Sequence, residues 1–258
     1  MFSFNFTIEA AKQFIYHPSA IFKLHLGTTA TSEFLDLKRR QKWLKHPVTQ
    51  KHTRLFTILL HQHDDTGLSA HIGSDGLYEP AETSLIQKIL RQNMTFVDVG
   101  ANIGWYTLLA ASKVGSKGRV IAFEPEPANY NLLIESIALN NFENVILLKK
   151  CLSNSEGKSR LYLHPQNYGA HSIVRQQSKF YKDVITEKLD DSLTNLGINN
   201  VDVLKIDVEG AEPLVLEGAQ QTIFRGPKHI FLEWNADAWQ NKTELFEKLF
   251  TNYDLSNS

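Results

Sequence analysis

Four apolar, strand-like runs in this 258-residue chain end in carboxylates: Asp98, Glu124, Asp207 (with Glu209 close behind) and Glu233. Such side chains accept hydrogen bonds from hydroxyls, take up protons as general bases or coordinate a hard cation. Their neighbours narrow the choice. Asp98 stands just before a glycine turn, where a carboxylate fixes the loop or meets a ligand's positive group. Glu124 ends the next run, and an acid there can accept from both hydroxyls of a ribose, or cap the helix that follows Pro125. Asp207, Glu209 and Glu212 fall in Leu204-Lys-Ile-Asp-Val-Glu-Gly-Ala-Glu212. They are candidates for a general base, a divalent-cation site or a helix cap.

The turn after Asp98 reads Asp-x-Gly-x-Asn-x-Gly, over Asp98, Gly100, Asn102 and Gly104. Gly100 and Gly104 let the chain turn sharply and let a ligand approach the main chain. Asn102 replaces a glycine of the dinucleotide fingerprint, which argues against a pyrophosphate seat and for a smaller, zwitterionic cofactor. Gly104 opens a helix whose free amides favour an anionic group. Trp105 and Tyr106 read as core or pocket wall. Leu152 and Ser153 follow the third strand, beside which an adenine ring would lie.

These residues need a frame. From Thr95 onward short β-branched runs alternate with segments of helical spacing. Strands are expected at 96–99, 119–124, 145–150, 201–206 and 229–234, with helices after the glycine turn and at about 127–140, 211–219 and 242–251. That rhythm implies an α/β fold, Rossmann-like, with a mostly parallel sheet and helices on both faces. Ligands of such sheets bind at the carboxyl ends of the strands, so the four acids should share one crevice. Strand-like pieces at 160–164, 171–174 and 183–188 interrupt the rhythm as an insertion near 158–188. Upstream, Pro80 starts a helix with Leu85, Ile86, Ile89 and Leu90 in one stripe, and 54–60 reads as a strand. Residues 1–75 are expected to form an N-terminal extension, helical over about 1–50, and 76–258 the ligand-binding domain.

The remaining candidates are weaker. His61, His63, Asp64, Asp65 and His71 have a metal-like composition, but their spacing fits no zinc pattern. His171, in the insertion, is either a base or a hydrogen-bonded structural histidine. The one cysteine, Cys151, reads as inert packing, excludes an intrachain disulfide and points to a reducing, cytoplasmic setting. A net charge of −1 gives no pull toward nucleic acid. The run at 38–45 reads as a solvated basic face, with an acidic partner or membrane surface as the other reading. Neither a signal peptide nor a transmembrane segment is expected. The Asn-x-Ser/Thr triplets at Asn5, Asn93 and Asn241 read as chance matches.

Across about residues 54–234 the chain resembles FkbM-type methyltransferases of the class I S-adenosylmethionine-dependent group. The resemblance rests on Asp65-x-Gly-Leu-Ser, Gly76-Leu-Tyr-Glu-Pro80, Phe96-Val-Asp-Val-Gly-Ala-Asn-Ile-Gly104, and Ala122-Phe-Glu-Pro125 with Asn131 and Asn140. Ser153-x-x-x-Gly157, Leu189-Asp-Asp191 and the specific 204–212 block complete it. It implies that Asp98, Gly100, Asn102 and Gly104 surround the methionine part of S-adenosylmethionine. It also implies that Glu124 takes the ribose, that Leu152 and Ser153 lie by the adenine, and that Tyr78, Glu79 and Glu82 close over the cofactor. The implied reaction is O-methylation of a sugar, natural-product or other small-molecule hydroxyl. Asp207, Glu209 and His171 are the candidate bases, or Asp207 holds a divalent metal.

Two departures stand out. Asn154 occupies a place where relatives often carry Asp. The sequence ends at Ser258, before the antiparallel hairpin that usually completes class I sheets, so a shortened C-terminal end is expected. An open sheet edge there would favour pairing with a second copy as a homodimer. The rival readings are a non-catalytic binding module or partner subunit, a nicotinamide-dependent oxidoreductase and a nucleic-acid methyltransferase. Asn102 weakens the second. The third lacks both a basic stripe and an Asn/Asp-Pro-Pro-aromatic motif.

Overall fold

A computed structural model describes residues 20–24, 49–64, 67–164, 167–176, 178–234, 238–239, 242–251 and 255–257. Most of the expected N-terminal helical region, the basic run at 38–45, Asn5, Asp65 and Asn241 lie outside the described residues. The described part of that region corrects the helical expectation: β1 (Ala20–Leu24) is a strand, and the next strand begins at Gln50. The Ile-Phe core of β1 favours extended backbone, and an open strand edge is there to receive it.

The expected strand at 54–60 is a hairpin instead, β2 (Gln50–His52) against β3 (Thr57–Leu59). Thr53 closes the turn, its hydroxyl donating to the Phe56 carbonyl at 2.8 Å and accepting from the Phe56 amide at 3.0 Å. The chain then forms α1 (Leu68–Asp75), α2 (Pro80–Ile89), β4 (Thr95–Val99), α3 (Trp105–Val114), β5 (Arg119–Phe123), α4 (Pro127–Leu139) and β6 (Val145–Leu148). After β6, β7 (Cys151–Leu152) joins β8 (Gly157–Tyr162) and β9 (Tyr181–Glu187), which fall in the insertion, in a separate three-stranded sheet ordered β7-β9-β8. The strand-like piece at 171–174 makes only an isolated bridge, Tyr162 to Ser172. The chain continues through α5 (Leu189–Asn195), β10 (Val203–Ile206), α6 (Glu212–Glu217), α7 (Gln220–Phe224), β11 (His229–Trp234), α8 (Thr243–Phe250) and β12 (Leu255–Asn257).

The main sheet is parallel throughout, in the order β12-β1-β11-β10-β4-β5-β6. Its central strands β4, β5, β10 and β11 are buried on both faces, which is why they read as nearly continuous apolar runs. On β4, Phe96 packs into one core with Leu108, Leu109 and Leu133, while Val97 and Val99 pack into the other with Ile121, Ile206 and Leu232. The strand order reverses between β4 and β10, which sets the crevice at their carboxyl ends. The outer edge of β11, expected to be open, is paired with β1 in register Ala20 to Ile230, and β12 pairs with β1 beyond it. The reason given for a homodimer therefore does not hold at that edge. No helix among the described residues is long and apolar enough to cross a membrane.

The hairpin is fastened to the domain by the end of α4. Asn140 accepts from the Thr57 amide at 2.7 Å and donates to the Thr57 carbonyl at 2.6 Å, while the Ser136 hydroxyl accepts from the Leu59 amide at 3.0 Å. The exposed edge of β3 thus finds side-chain partners instead of a third strand. Asn140→Ala removes two of these bonds from a half-buried site and should cost about 2 kcal/mol, lowering the melting temperature by roughly 4–8 °C. Differential scanning calorimetry of the variant checks this, and an unchanged melting temperature would mean the hairpin is held by packing alone.

Candidate active site

The crevice is built on the turn after β4. Gly100 adopts φ +84°, and a Cβ there would fall 1.9 Å from the Asp207 carbonyl oxygen, so the loops after β4 and β10 touch backbone to backbone. Gly104 has φ +96° and no room for a Cβ against Leu133, so α3 starts tight against α4. Asn102 sits between them in the left-handed region at φ +52°, its side chain accepting from the Ile103 amide at 2.7 Å.

Glu124 lies on one side of this turn and is buried. Its carboxylate accepts from the Asn102 amide at 2.7 Å and the Glu126 amide at 2.8 Å. Burial raises its pKa to about 7, with those two amides pulling the other way. A small cavity of about 60 Å³ opens beside it, with Asn102, Pro125, Leu152, Tyr168 and His171 in its wall. Ser153 is buried but does not line this cavity; its carbonyl packs against Gly218. Cys151 lines the cavity, and burial pushes its thiol up to about 12, so it stays protonated.

Asp98 lies on the other side. One oxygen accepts from the Thr107 hydroxyl at 2.6 Å, while Oδ1 is buried without a hydrogen-bond partner. Burial raises the Asp98 pKa, and Lys205 and Thr107 oppose it. Asp98 lines a larger cavity of about 610 Å³, together with Tyr78, Glu79, Tyr106, Arg175, Lys205, Asp207, Glu209 and Glu233. The two cavities share Gly100, Asn102, Gly169, Asp207 and Glu209 in their walls, so they are two lobes of one crevice. Glu82 is buried but does not line either lobe.

Tyr78 and Glu79 are held over the large lobe by α3. The Trp105 indole donates to the Thr83 hydroxyl at 2.8 Å, and Thr83 donates to the Tyr78 carbonyl at 2.6 Å. The Tyr106 hydroxyl donates to Glu79 at 2.8 Å. Trp105 and Tyr106 are therefore wall and support, as their sequence context indicated. Burial pushes the Tyr78 phenol well above the ordinary tyrosine range, so it remains a donor.

The acidic block after β10 divides by role. Asp207 meets the Lys205 ammonium at 2.9 Å, and Glu209 meets Arg175 at 2.8 Å. Glu212 points inward: one oxygen accepts from the Val208 and Gly210 amides at 3.0 and 3.1 Å, so it holds the loop that presents the other two. Asp207, Glu209 and Glu233 offer carboxylate oxygens within 4.8 Å of one another, a set that could hold a cation. Glu79, Asn102 and Glu209 all have positive φ and all line the crevice. Strained backbone of this kind persists where the surroundings enforce it, commonly at functional sites.

His171 lies in the small lobe, but its chemistry differs from a base. Its Nδ1 accepts from the His164 amide at 3.0 Å, so the neutral ring carries its proton on Nε2 and donates there. Burial lowers its pKa to about 4, which keeps it neutral. Of the two readings of His171, a base or a hydrogen-bonded structural histidine, the contact to the His164 amide is of the second kind. The His/Asp group at 61–71 is likewise structural in its first members. His61 meets Asn129 at 2.8 Å and stacks on Tyr168, and Asp64 accepts from the Ser69 and Tyr168 amides. These contacts pin the insertion loop across the crevice. Lys205 carried no signal in the sequence beyond a lysine inside an apolar run, and Arg175 none at all.

The family profile described as Methyltransferase FkbM domain matches residues 98–253, more than half of the chain. Methyltransferase sdnD of Sordaria araneosa is 29% identical over 175 residues, covering 56% of this chain and 67% of that protein. Methyltransferase 1 of Beauveria bassiana (strain ARSEF 2860) is 29% identical over 142 residues, covering 47% of this chain and 57% of its own length. Among solved structures, the methyltransferase FkbM from Methylobacillus flagellatus KT aligns with a TM-score of 0.42 at 14% identity, over 86% of this chain and 54% of that one.

The Glu124 environment has a measurable consequence. Its pKa is about 7 folded against an ordinary 4.5. Between those values the folded chain keeps a proton that the unfolded chain has lost, so stability falls as pH rises through that window. Glu124→Gln, neutral throughout, should show a shallower fall, the difference reaching as much as about 3 kcal/mol. Urea unfolding of both proteins across this pH range tests it, and parallel curves would place the Glu124 pKa near its ordinary value.

Proposed function

The chain belongs to the FkbM methyltransferase family, and from that premise we propose that it methylates a hydroxyl of a small polar acceptor using S-adenosylmethionine. The observation that carries this reading is the charge balance of the crevice. Five carboxylates line the large lobe (Glu79, Asp98, Asp207, Glu209 and Glu233) against two strong cations, Arg175 and Lys205. A crevice so acidic repels a pyrophosphate and attracts a ligand that carries a sulfonium and an ammonium. This disfavours a nicotinamide dinucleotide.

The residues present fit that ligand. The unpartnered Asp98 Oδ1 suits an ammonium, the amides opening α3 suit a carboxylate, and Glu124 suits the ribose hydroxyls. Leu152 offers an apolar contact for the adenine, with Ser153 behind it. Tyr78 and Glu79 close the large lobe from above. When bound, S-adenosylmethionine supplies a methyl already activated by its sulfonium, so that an O–C bond forms as the S–C bond breaks and the electron pair returns to sulfur. The chain's task is to align the acceptor oxygen and remove its proton. Asp207 is the base of choice, since it lines both lobes and is held in place by its ion pair with Lys205. Glu209, paired with Arg175, orients the acceptor. The polar lining of the large lobe, with His71, Asn167 and Arg175 among it, suits a hydroxyl-rich acceptor such as a sugar or an oxygenated natural product.

Calorimetric titration tests the cofactor directly. The chain should bind S-adenosylmethionine at about micromolar affinity, and Glu124→Ala should weaken binding roughly 10- to 100-fold. No binding by folded protein would overturn the reading in favour of a non-catalytic module. Unchanged affinity in Glu124→Ala would remove the ribose assignment alone. Asp207→Asn should keep cofactor affinity and lose about 100-fold in turnover, followed as S-adenosylhomocysteine release against a panel of hydroxylated acceptors. Full turnover in that variant would make Asp207 a loop element.

A further inference from the structure

Lys205 is the one buried lysine among the described residues. It lies in β10 directly across from Asp98 on β4 and lines the large lobe. Its ammonium is 2.9 Å from Asp207 and 4.7 Å from the centre of the Tyr106 ring, on which it rests. Burial alone would favour loss of its proton, but the carboxylates of Asp207, Glu82, Asp98 and Glu79 outweigh that and hold it charged well above the ordinary lysine range. A buried lysine surrounded in this way is fixed in place rather than exchanging with solvent.

The same lobe holds the three-carboxylate set Asp207, Glu209 and Glu233. Oxygen donors so close together ordinarily draw a hard divalent cation, because each carboxylate repels the next unless a positive charge stands among them. Here positive charge is already supplied by the chain: Lys205 contacts Asp207, buried beneath the set, and the half-buried Arg175 contacts Glu209. A divalent ion on the same oxygens would meet the ammonium at short range and be repelled.

We propose that the Lys205 ammonium is the resident cation of this crevice: it positions Asp207 for the transfer and takes the place at which the carboxylate set would otherwise draw a divalent metal. The positioning role rests on the methyl-transfer reading; the cation role does not. Lys205 is thus a positioning residue that acts through Asp207.

The test uses the full chain and Mn²⁺ as probe. Electron paramagnetic resonance of free Mn²⁺ should be unchanged by wild-type protein and by Lys205→Arg. Lys205→Gln should remove free Mn²⁺ from solution with an affinity at least about tenfold higher than wild type. Lys205→Gln should also lose about 100-fold in turnover while its S-adenosylmethionine affinity stays within about threefold, with Lys205→Arg restoring part of the rate. Tight Mn²⁺ binding by the wild type, with Lys205 in place, would overturn the proposal even if the Gln variant failed to fold. So would a folded Lys205→Gln protein with full turnover or no gain in Mn²⁺ binding. Failure of the wild type to bind S-adenosylmethionine would instead overturn the methyl-transfer reading and leave the Mn²⁺ comparison decisive for the cation role.

Discussion

Gly100 has no room for a side chain because the carbonyl of Asp207 occupies the place where a Cβ would be. That contact joins the two halves of the sheet where the strand order reverses. The turn is tied to both neighbours: the Gly100 and Ala101 amides donate to the Phe123 carbonyl at 3.1 and 3.0 Å, and the Asp207 amide donates to the Val99 carbonyl at 3.0 Å. With the backbones held this closely, Asp98, Glu124 and Asp207 all face one crevice without further adjustment. A parallel sheet fans its strands apart by twist, so acids at strand ends converge only where the loops are pulled together. Any side chain at position 100 would separate the two lobes.

Around this contact the backbone is held in conformations it would not choose alone. Glu79, Asn102 and Glu209 occupy the left-handed region without being glycine, at a cost of about 1–3 kcal/mol each. Each has a specific restraint: Tyr106 on the Glu79 carboxylate, Glu124 on the Asn102 amide, and Arg175 on Glu209. Glu212 adds a fourth by binding the two amides that flank Glu209. The acidic block after β10 therefore contains two kinds of carboxylate. Asp207 and Glu209 line the crevice, while Glu212 faces the loop, and only the fold separates these positions.

The core of the fold was legible because buried parallel strands leave uninterrupted apolar runs, and the acids that break those runs mark the strand ends. Asp98, Glu124 and Asp207 could be placed in one crevice on that ground alone. The hairpin over 50–59 was half legible: its second strand showed as an apolar run, but its edge is satisfied by Asn140 and Ser136, residues far away in the chain. Strand β1 was missed because its partner, β11, is over two hundred residues downstream, and nothing local distinguishes a short apolar strand from a helical stretch. His171 carried the residue type of a base, but its ring is oriented by a single amide, that of His164, which no spacing rule anticipates. Lys205 was hidden for the opposite reason. A lysine in a strand reads as a solvent-facing position, and only the fold places it against Asp98, Tyr106 and Asp207.

The lysine also explains how so many carboxylates share one small volume. Asp98, Glu79, Glu82 and Asp207 all act on the Lys205 ammonium, and two of the four are almost fully buried with it. Without a cation among them, repulsion and desolvation would protonate some of these acids and leave others exposed to disorder. With one, Asp207 has an ion-pair partner, while Asp98, which lines the same lobe, keeps a buried oxygen without a hydrogen bond. Lys205 thus offsets the acids behind the crevice and Arg175 offsets Glu209, and the five lining carboxylates still outnumber these two cations. The net field therefore favours a positively charged ligand beside Asp98.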